Sequence, residues 1–116
     1  ATSVAHDSHN IICVGTSDED MAFAVNRIAR NRGGIVVVEN GQVLAELPLE
    51  IAGIISGKPL REVNTLLEDA KKAAHALGVG TDIDPFMTLS FMSLPVIPTL
   101  RLTTRGVVDV NTQQYV

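Results

Sequence analysis

Apolar and polar positions along the chain follow two rhythms, one of strands and one of helices. Ile11-Ile12-Cys13-Val14 is a short, mostly β-branched run closed by Gly15-Thr16-Ser17-Asp18, the pattern of a buried strand turning into a helix. Thr16-Ser17-Asp18-Glu19 has the form of a capping box, with Thr16 accepting from the Glu19 amide. Met21, Ala22, Val25, Ile28 and Ala29 recur at helical spacing. Acidic residues lead this helix and Arg27, Arg30 and Arg32 trail it, as the helix dipole favours, before Gly33-Gly34 stops it.

Ile35 to Glu39 and Gln42 to Leu47 are strand-like runs around Asn40-Gly41, a strong hairpin signal, and Pro48 ends the second strand. Leu49 to Ser56 reads as a short apolar helix closed by Gly57. From Pro59 to Leu77 a longer helix carries Leu60, Val63, Leu66, Leu67, Ala70 and Ala74 on one face, and Gly78 stops it. After a loop through Asp82 and Asp84, Phe86 to Leu94 fits a short helix better than a strand, and Pro95 and Pro98 force an extended connection. Leu100 to Thr103 and Val107 to Val110 form a final strand pair, while Asn111 to Val116 shows no pattern. The predicted fold is a single α/β domain, a mixed, partly antiparallel sheet packed with helices.

Composition narrows the function classes. The 116 residues are enough for one hydrophobic core, and 46% hydrophobic against 19% charged residues excludes a disordered tail. A net charge of −4 with 3% aromatics leaves neither a basic footprint nor stacking platforms for nucleic acid. No apolar stretch reaches membrane-spanning length. The lone Cys13 sits in an apolar run, so a buried, inert thiol and a reducing compartment are expected. The chain opens Ala-Thr-Ser with no initiator Met, which suits a processed protein or a piece of a longer one.

The chemistry-bearing side chains concentrate in His6-Asp7-Ser8-His9-Asn10, at the mouth of the first apolar run. As a strand extension, this block would send His6, Ser8 and Asn10 to one face and Asp7 and His9 to the other. That parity keeps His6-x-x-His9 from ligating a metal together, and no third ligand stands nearby in sequence. It equally keeps Ser8 from a relay with a neighbouring histidine, and no G-x-S-x-G surrounds Ser8. No phosphate loop follows Gly33-Gly34 or Gly78-Val79-Gly80, and His75 late in its helix reads as a surface or cap residue. Neither a catalytic residue nor a metal ligand set is therefore expected in this chain. Asp84 to Phe91 is a second unusual stretch, either core or recognition loop.

Taken in order, Ala5-His6-Asp7-Ser8-His9-Asn10, the G-G-I-V-V-V-x-N-G hairpin with Leu44-Ala45-Glu46-Leu47-Pro48, and Asp84-Pro85-Phe86-Met87-Thr88-Leu89-Ser90-Phe91 followed by Leu94-Pro95-Val96-Ile97-Pro98 resemble the C-terminal domain of adenine deaminase. The resemblance covers the chain from Ala5 to about Val110. It implies an amidohydrolase of purine salvage in the cytoplasm, with a preceding β/α barrel that this chain does not include. That barrel would hold a divalent metal, manganese or iron with zinc as a further option. Water activated there would add at the purine carbon bearing the amino group, and ammonia would leave to give hypoxanthine.

On this resemblance residues 1–116 are the C-terminal domain, inactive alone and partnered by its own barrel, with adenine as substrate of the whole enzyme and a homo-oligomer as its assembly. His6, Asp7, Ser8, His9 and Asn10 are then candidates for substrate contact at the rim of the barrel's pocket. Asp84 to Phe91 is a weaker candidate for the same rim or for packing on the barrel. The alternative is a structural or oligomerisation module that never touches purine. Exposure and hydrogen bonding separate the two: a buried block fully satisfied within the domain favours the module, and an exposed, unsatisfied concave patch favours the rim.

Overall fold

Asn40 and Gly41 both take left-handed backbone, with φ of 50° and 71°. Two such central residues make a primed turn, whose twist matches that of the flanking strands, so the hairpin forms where the sequence predicts it. In the computed structural model, which describes residues 1–7 and 9–116, the hairpin joins β1 (Gly34–Glu39) to β2 (Gln42–Pro48). The other elements are α1 (Asp18–Arg30), α2 (Leu60–Ala76), α3 (Pro85–Phe91), β3 (Leu100–Thr103), β4 (Gly106–Asp109) and β5 (Gln114–Tyr115).

The β1–β2 pair runs antiparallel, with a register shift between Val37 and Val38. Helices cover both of its faces, and this is why β1 is a nearly continuous apolar run rather than an alternating one. On one side Val36 is fully buried against Ala24 and Ile28 of α1. On the other, Ile35, Val37, Leu47 and Leu49 pack on Ala70 and Ala74 of α2. Each fully buried Val or Ile side chain contributes about 1.5–3 kcal/mol. The alanines let α2 approach the sheet closely, which accounts for Ala70 being wholly inaccessible.

The N-terminal residues run beside β1 on the edge opposite β2. Ala1 and Val36 exchange two hydrogen bonds of 2.9 Å each, and the Ser3 amide donates to the Gly34 carbonyl at 2.9 Å. On its other side, Thr2 exchanges two 2.9 Å bonds with Ile12. The predicted strand Ile11 to Val14 is thereby reduced to a single bridge at Ile12. The physical reason is its partner: one residue, Thr2, pairs with it. Ile11 and Val14 are exposed, and Cys13, expected to be buried, is partly open.

Two further expectations shift. Ser17, not Thr16, caps α1, its hydroxyl accepting from the Asp20 amide at 3.1 Å. Asp20 turns away to accept from the Asn40 and Gly41 amides at 3.0 and 2.7 Å, bracing the hairpin turn. Leu49 to Ser56 is a turn closed by an Ile51–Ile55 bridge, not a helix. Ala52 and Gly53 take φ of 55° and 77°, and only Leu49 of the run inserts into the core, so no apolar helical face is satisfied.

The remainder follows the sequence more closely. Pro59 precedes α2, Gly78 follows it with φ of 108°, and the His75 Nδ1 donates to the Val79 carbonyl at 3.1 Å, a capping role. Asp84 caps α3 by accepting from the Phe86 and Met87 amides and reaches Lys71 of α2 at 3.0 Å. A second, separate sheet has the order β3-β4-β5. Its third strand comes from the patternless tail, with Tyr115 opposite Val108. The α/β class holds, and the described residues form three helices and two small sheets in which each strand pair is antiparallel.

Candidate functional site

The N-terminal segment makes its last bond to β1 at Ser3, and the polar block follows Ala5, which is wholly buried, and ends before Ile12, which bridges to Thr2. Between these anchors the described residues His6, Asp7, His9 and Asn10 are exposed and lie in no strand, so strand parity does not govern them. Asp7 has a φ of 61°. His6, Asp7, His9 and Asn10 are all exposed, and Ser8 lies outside the described residues.

Two contacts seat the loop on α3. The His6 amide donates to the Ser90 carbonyl at 3.1 Å, and the His6 ring stacks on Phe91 with centroids 4.5 Å apart and planes 19° from parallel. The block and the Asp84–Phe91 stretch, singled out separately in sequence, thus meet. The His6 Nδ1 stands 3.7 Å from the Asp7 carboxylate, too far for a hydrogen bond, with both side chains largely in solvent.

His9 faces the other way. Its Nδ1 accepts from the Ala5 amide at 3.3 Å, so the neutral ring carries its proton on Nε2. Asn10 Oδ1 accepts from the Ile11 amide at 2.8 Å. His9 and Asn10 line a shallow cleft of about 230 Å³ with Ser3, Ile28, Arg32 and Gly53. Arg32 carries no motif and was not legible as a neighbour of His9; it arrives there because the chain turns at Arg32-Gly33, both with positive φ.

The structure does not unite the four described residues in one cluster: His6 rests on α3 with Asp7 beside it, whereas His9 and Asn10 face the cleft beside α1. Among the described residues no three His, Cys, Asp or Glu side chains gather closely enough to hold a metal ion. Asp84 is already engaged. Burial raises its pKa, but the Met87 amide, Lys71 and the Phe86 amide together hold it below the usual carboxylate range. The arrangement offers hydrogen-bond donors and acceptors on a braced loop, and among the described residues no nucleophile paired with a base.

A family model described as "Adenine deaminase C-terminal domain" matches residues 1–114. "Adenine deaminase 2" of Carboxydothermus hydrogenoformans is 54% identical over 112 residues, covering 97% of this chain and 20% of that protein. "Adenine deaminase" of Nitratidesulfovibrio vulgaris strain Hildenborough is 51% identical over 116 residues, 99% of this chain and 20% of the relative. That of Geobacillus kaustophilus is 46% identical, covering all of this chain and 20% of the relative. The chain therefore spans about a fifth of the length of these relatives. With a match across nearly every residue and half of the positions identical, the chain belongs to the adenine deaminase C-terminal domain family.

Proposed function

We propose that this chain serves within a larger enzyme that hydrolyses adenine to hypoxanthine and ammonia, and that the loop His6, Asp7, Ser8, His9 and Asn10 forms part of the rim of its active-site pocket. The observation that carries the rim is the presentation of the loop. The side chains of His6, Asp7, His9 and Asn10 are exposed, yet the backbone is tied down at Ala5, at Ser90 and by the Phe91 stack. A purely structural segment has no need to hold polar groups outward on a braced frame.

The reactive centre is elsewhere in the enzyme, in a barrel of the amidohydrolase type with a divalent metal, manganese, iron or zinc, that activates the attacking water. This chain's residues orient. A neutral His9 whose Nδ1 is occupied presents Nε2–H outward, a donor suited to a purine ring nitrogen. The whole enzyme would act in purine salvage in the cytoplasm, as a homo-oligomer.

The test is His9→Ala in the full-length enzyme. The expected result is a fall in kcat/KM for adenine of about 10- to 100-fold, the range for positioning groups, in an enzyme that stays folded; wild-type kinetics discard the rim. In parallel, this chain alone should release no ammonia from adenine. A second reading, a packing module for the barrel or a homo-oligomer, is supported by Leu100 and Leu102 on β3, 49% and 52% exposed. It is favoured if His9→Ala is silent while Leu102→Asp changes the assembly.

A further inference from the structure

The geometry points to a missing central strand: the segment that precedes Ala1 in the longer enzyme runs antiparallel along the free edge of β1, between β1 and Cys13–Gly15, and completes a four-stranded sheet with β2. This rests on the family relationship and on backbone geometry, and is independent of whether the polar loop meets substrate.

Thr2 already occupies the position of such a strand. It bridges Ile12 on one side and Ile35 on the other, both antiparallel. Past Ala1 the two flanking segments continue, and among the described residues none lies between them. A cleft of about 630 Å³ opens there, lined by Cys13, Val14 and Gly15 on one wall and by Val37 and Val38 on the other, with Ala1 at its closed end.

The ladder defines what the incoming residues meet. Hydrogen-bonded pairs alternate along an antiparallel edge. Ala1 pairs with Val36 in this way, so the residue two places before Ala1 pairs with Val38. Glu39 and Gln42 close the hairpin, which leaves the Val38 N–H and C=O facing away from β2. On the other wall Thr2 pairs with Ile12, so the residue directly before Ala1 pairs with Val14. Among the described residues the Val14 amide has no backbone partner, and the alternation that turns Val36 towards Ala1 turns the Val38 N–H and C=O to the same edge.

Side chains follow the same parity. Opposed residues share a face, so the residue directly before Ala1 lies with Val37 towards Ala74 and Phe86, and the one before it lies with Val38 towards Met21 and Ala24. All four of those side chains line the cleft. Beside Ala1 the slot is apolar on both faces, while Thr16, Ser17, Asp20, Glu39 and Asn40 also line it, so it calls for a segment whose residues next to Ala1 are apolar. Its occupant accounts for an otherwise unmet pattern: Ile11 to Val14 is strand-like in sequence but bridges only at Ile12, and Val14 is 71% exposed because its neighbour precedes the chain described here.

The experiment is amide hydrogen exchange on the full-length enzyme, read in peptides covering Val14 and Val38. Both amides are expected to exchange at least about 100-fold more slowly than unstructured amides, at rates close to those of Ile12 and Val36. Exchange of either amide at the rate of an unstructured one overturns the proposal. Protection that appears only as enzyme concentration rises also overturns it, since a second copy would then fill the slot. Val38→Pro, which removes the edge-facing N–H, should accelerate exchange at Val14 in the full-length enzyme; no change there counts against the shared strand.

Discussion

The His6 imidazole lies on the Phe91 ring, centroids 4.5 Å apart and 19° from parallel, and so couples the exposed polar loop to helix α3. Such a ring pair contributes about 0.5–1.5 kcal/mol beyond the area it buries. Its mechanical effect is larger than its energy, because with the 3.1 Å bond from His6 to the Ser90 carbonyl it sets where the loop stands.

Phe91→Ala should therefore free the loop without unfolding the domain. The expected outcome in the full-length enzyme is a loss of about 1–3 kcal/mol in stability, from partial truncation of a half-buried aromatic, with a fall in kcat for adenine. Phe91→Tyr keeps the stacking face and should restore both. A Phe91→Ala enzyme with wild-type turnover would show that loop position does not matter to catalysis.

Glu46 on β2 accepts two 2.8 Å hydrogen bonds from Arg27 and one of 3.0 Å from Asn31, tying α1 to the sheet. The Arg27 hydrogen bond is the main influence holding the Glu46 carboxyl below its ordinary value, against the opposing effect of burial and with Asn31 helping. A carboxyl with a depressed folded value contributes stability that is present above its unfolded value, 4.5, and is lost as pH falls through the folded value. Glu46→Gln should cost about 1 kcal/mol at neutral pH, since the pair is partly solvated. Urea denaturation should show that gap closing on acidification, and a constant gap down to strongly acid pH would refute the linkage.

Asp84 does two things at once, capping α3 and pairing with Lys71 at 3.0 Å. Asp84→Ala should cost about 1–2 kcal/mol by losing the cap and should weaken the His6–Phe91 contact by fraying α3. Asp84→Asn keeps the cap acceptor but not the charge and should recover most of the loss. The readouts are a denaturation midpoint and the His6 ring proton shifts, which ring-current contact with Phe91 displaces.

Asp20 holds the hairpin turn from α1 through the Asn40 and Gly41 amides, at 3.0 and 2.7 Å. Asp20→Ala removes a charged acceptor from two backbone donors and should cost about 1–2 kcal/mol, discounted for exposure. Faster amide exchange at Asn40 and Gly41 would mark the site of the loss. Unchanged exchange there would mean that solvent replaces the carboxylate at no cost.

Local chemistry alone determined the hairpin, α1, α2 and the short α3. Asn40-Gly41 favours positive φ, Pro59 and Gly78 bracket a helix, and Asp84-Pro85 begins one, all through contacts within a few residues. The polar block, too, was legible as the place where chemistry-bearing side chains concentrate. Tertiary structure decided the rest: that Ile11 to Val14 meets only Thr2, that Leu49 to Ser56 turns instead of coiling, and that Gln114 and Tyr115 pair with β4. It also decided that His6 rests on Phe91 and that His9 shares a cleft with Arg32. These depend on which distant segment offers a free edge, a ring face or a cavity, and no periodicity within one segment encodes its partner.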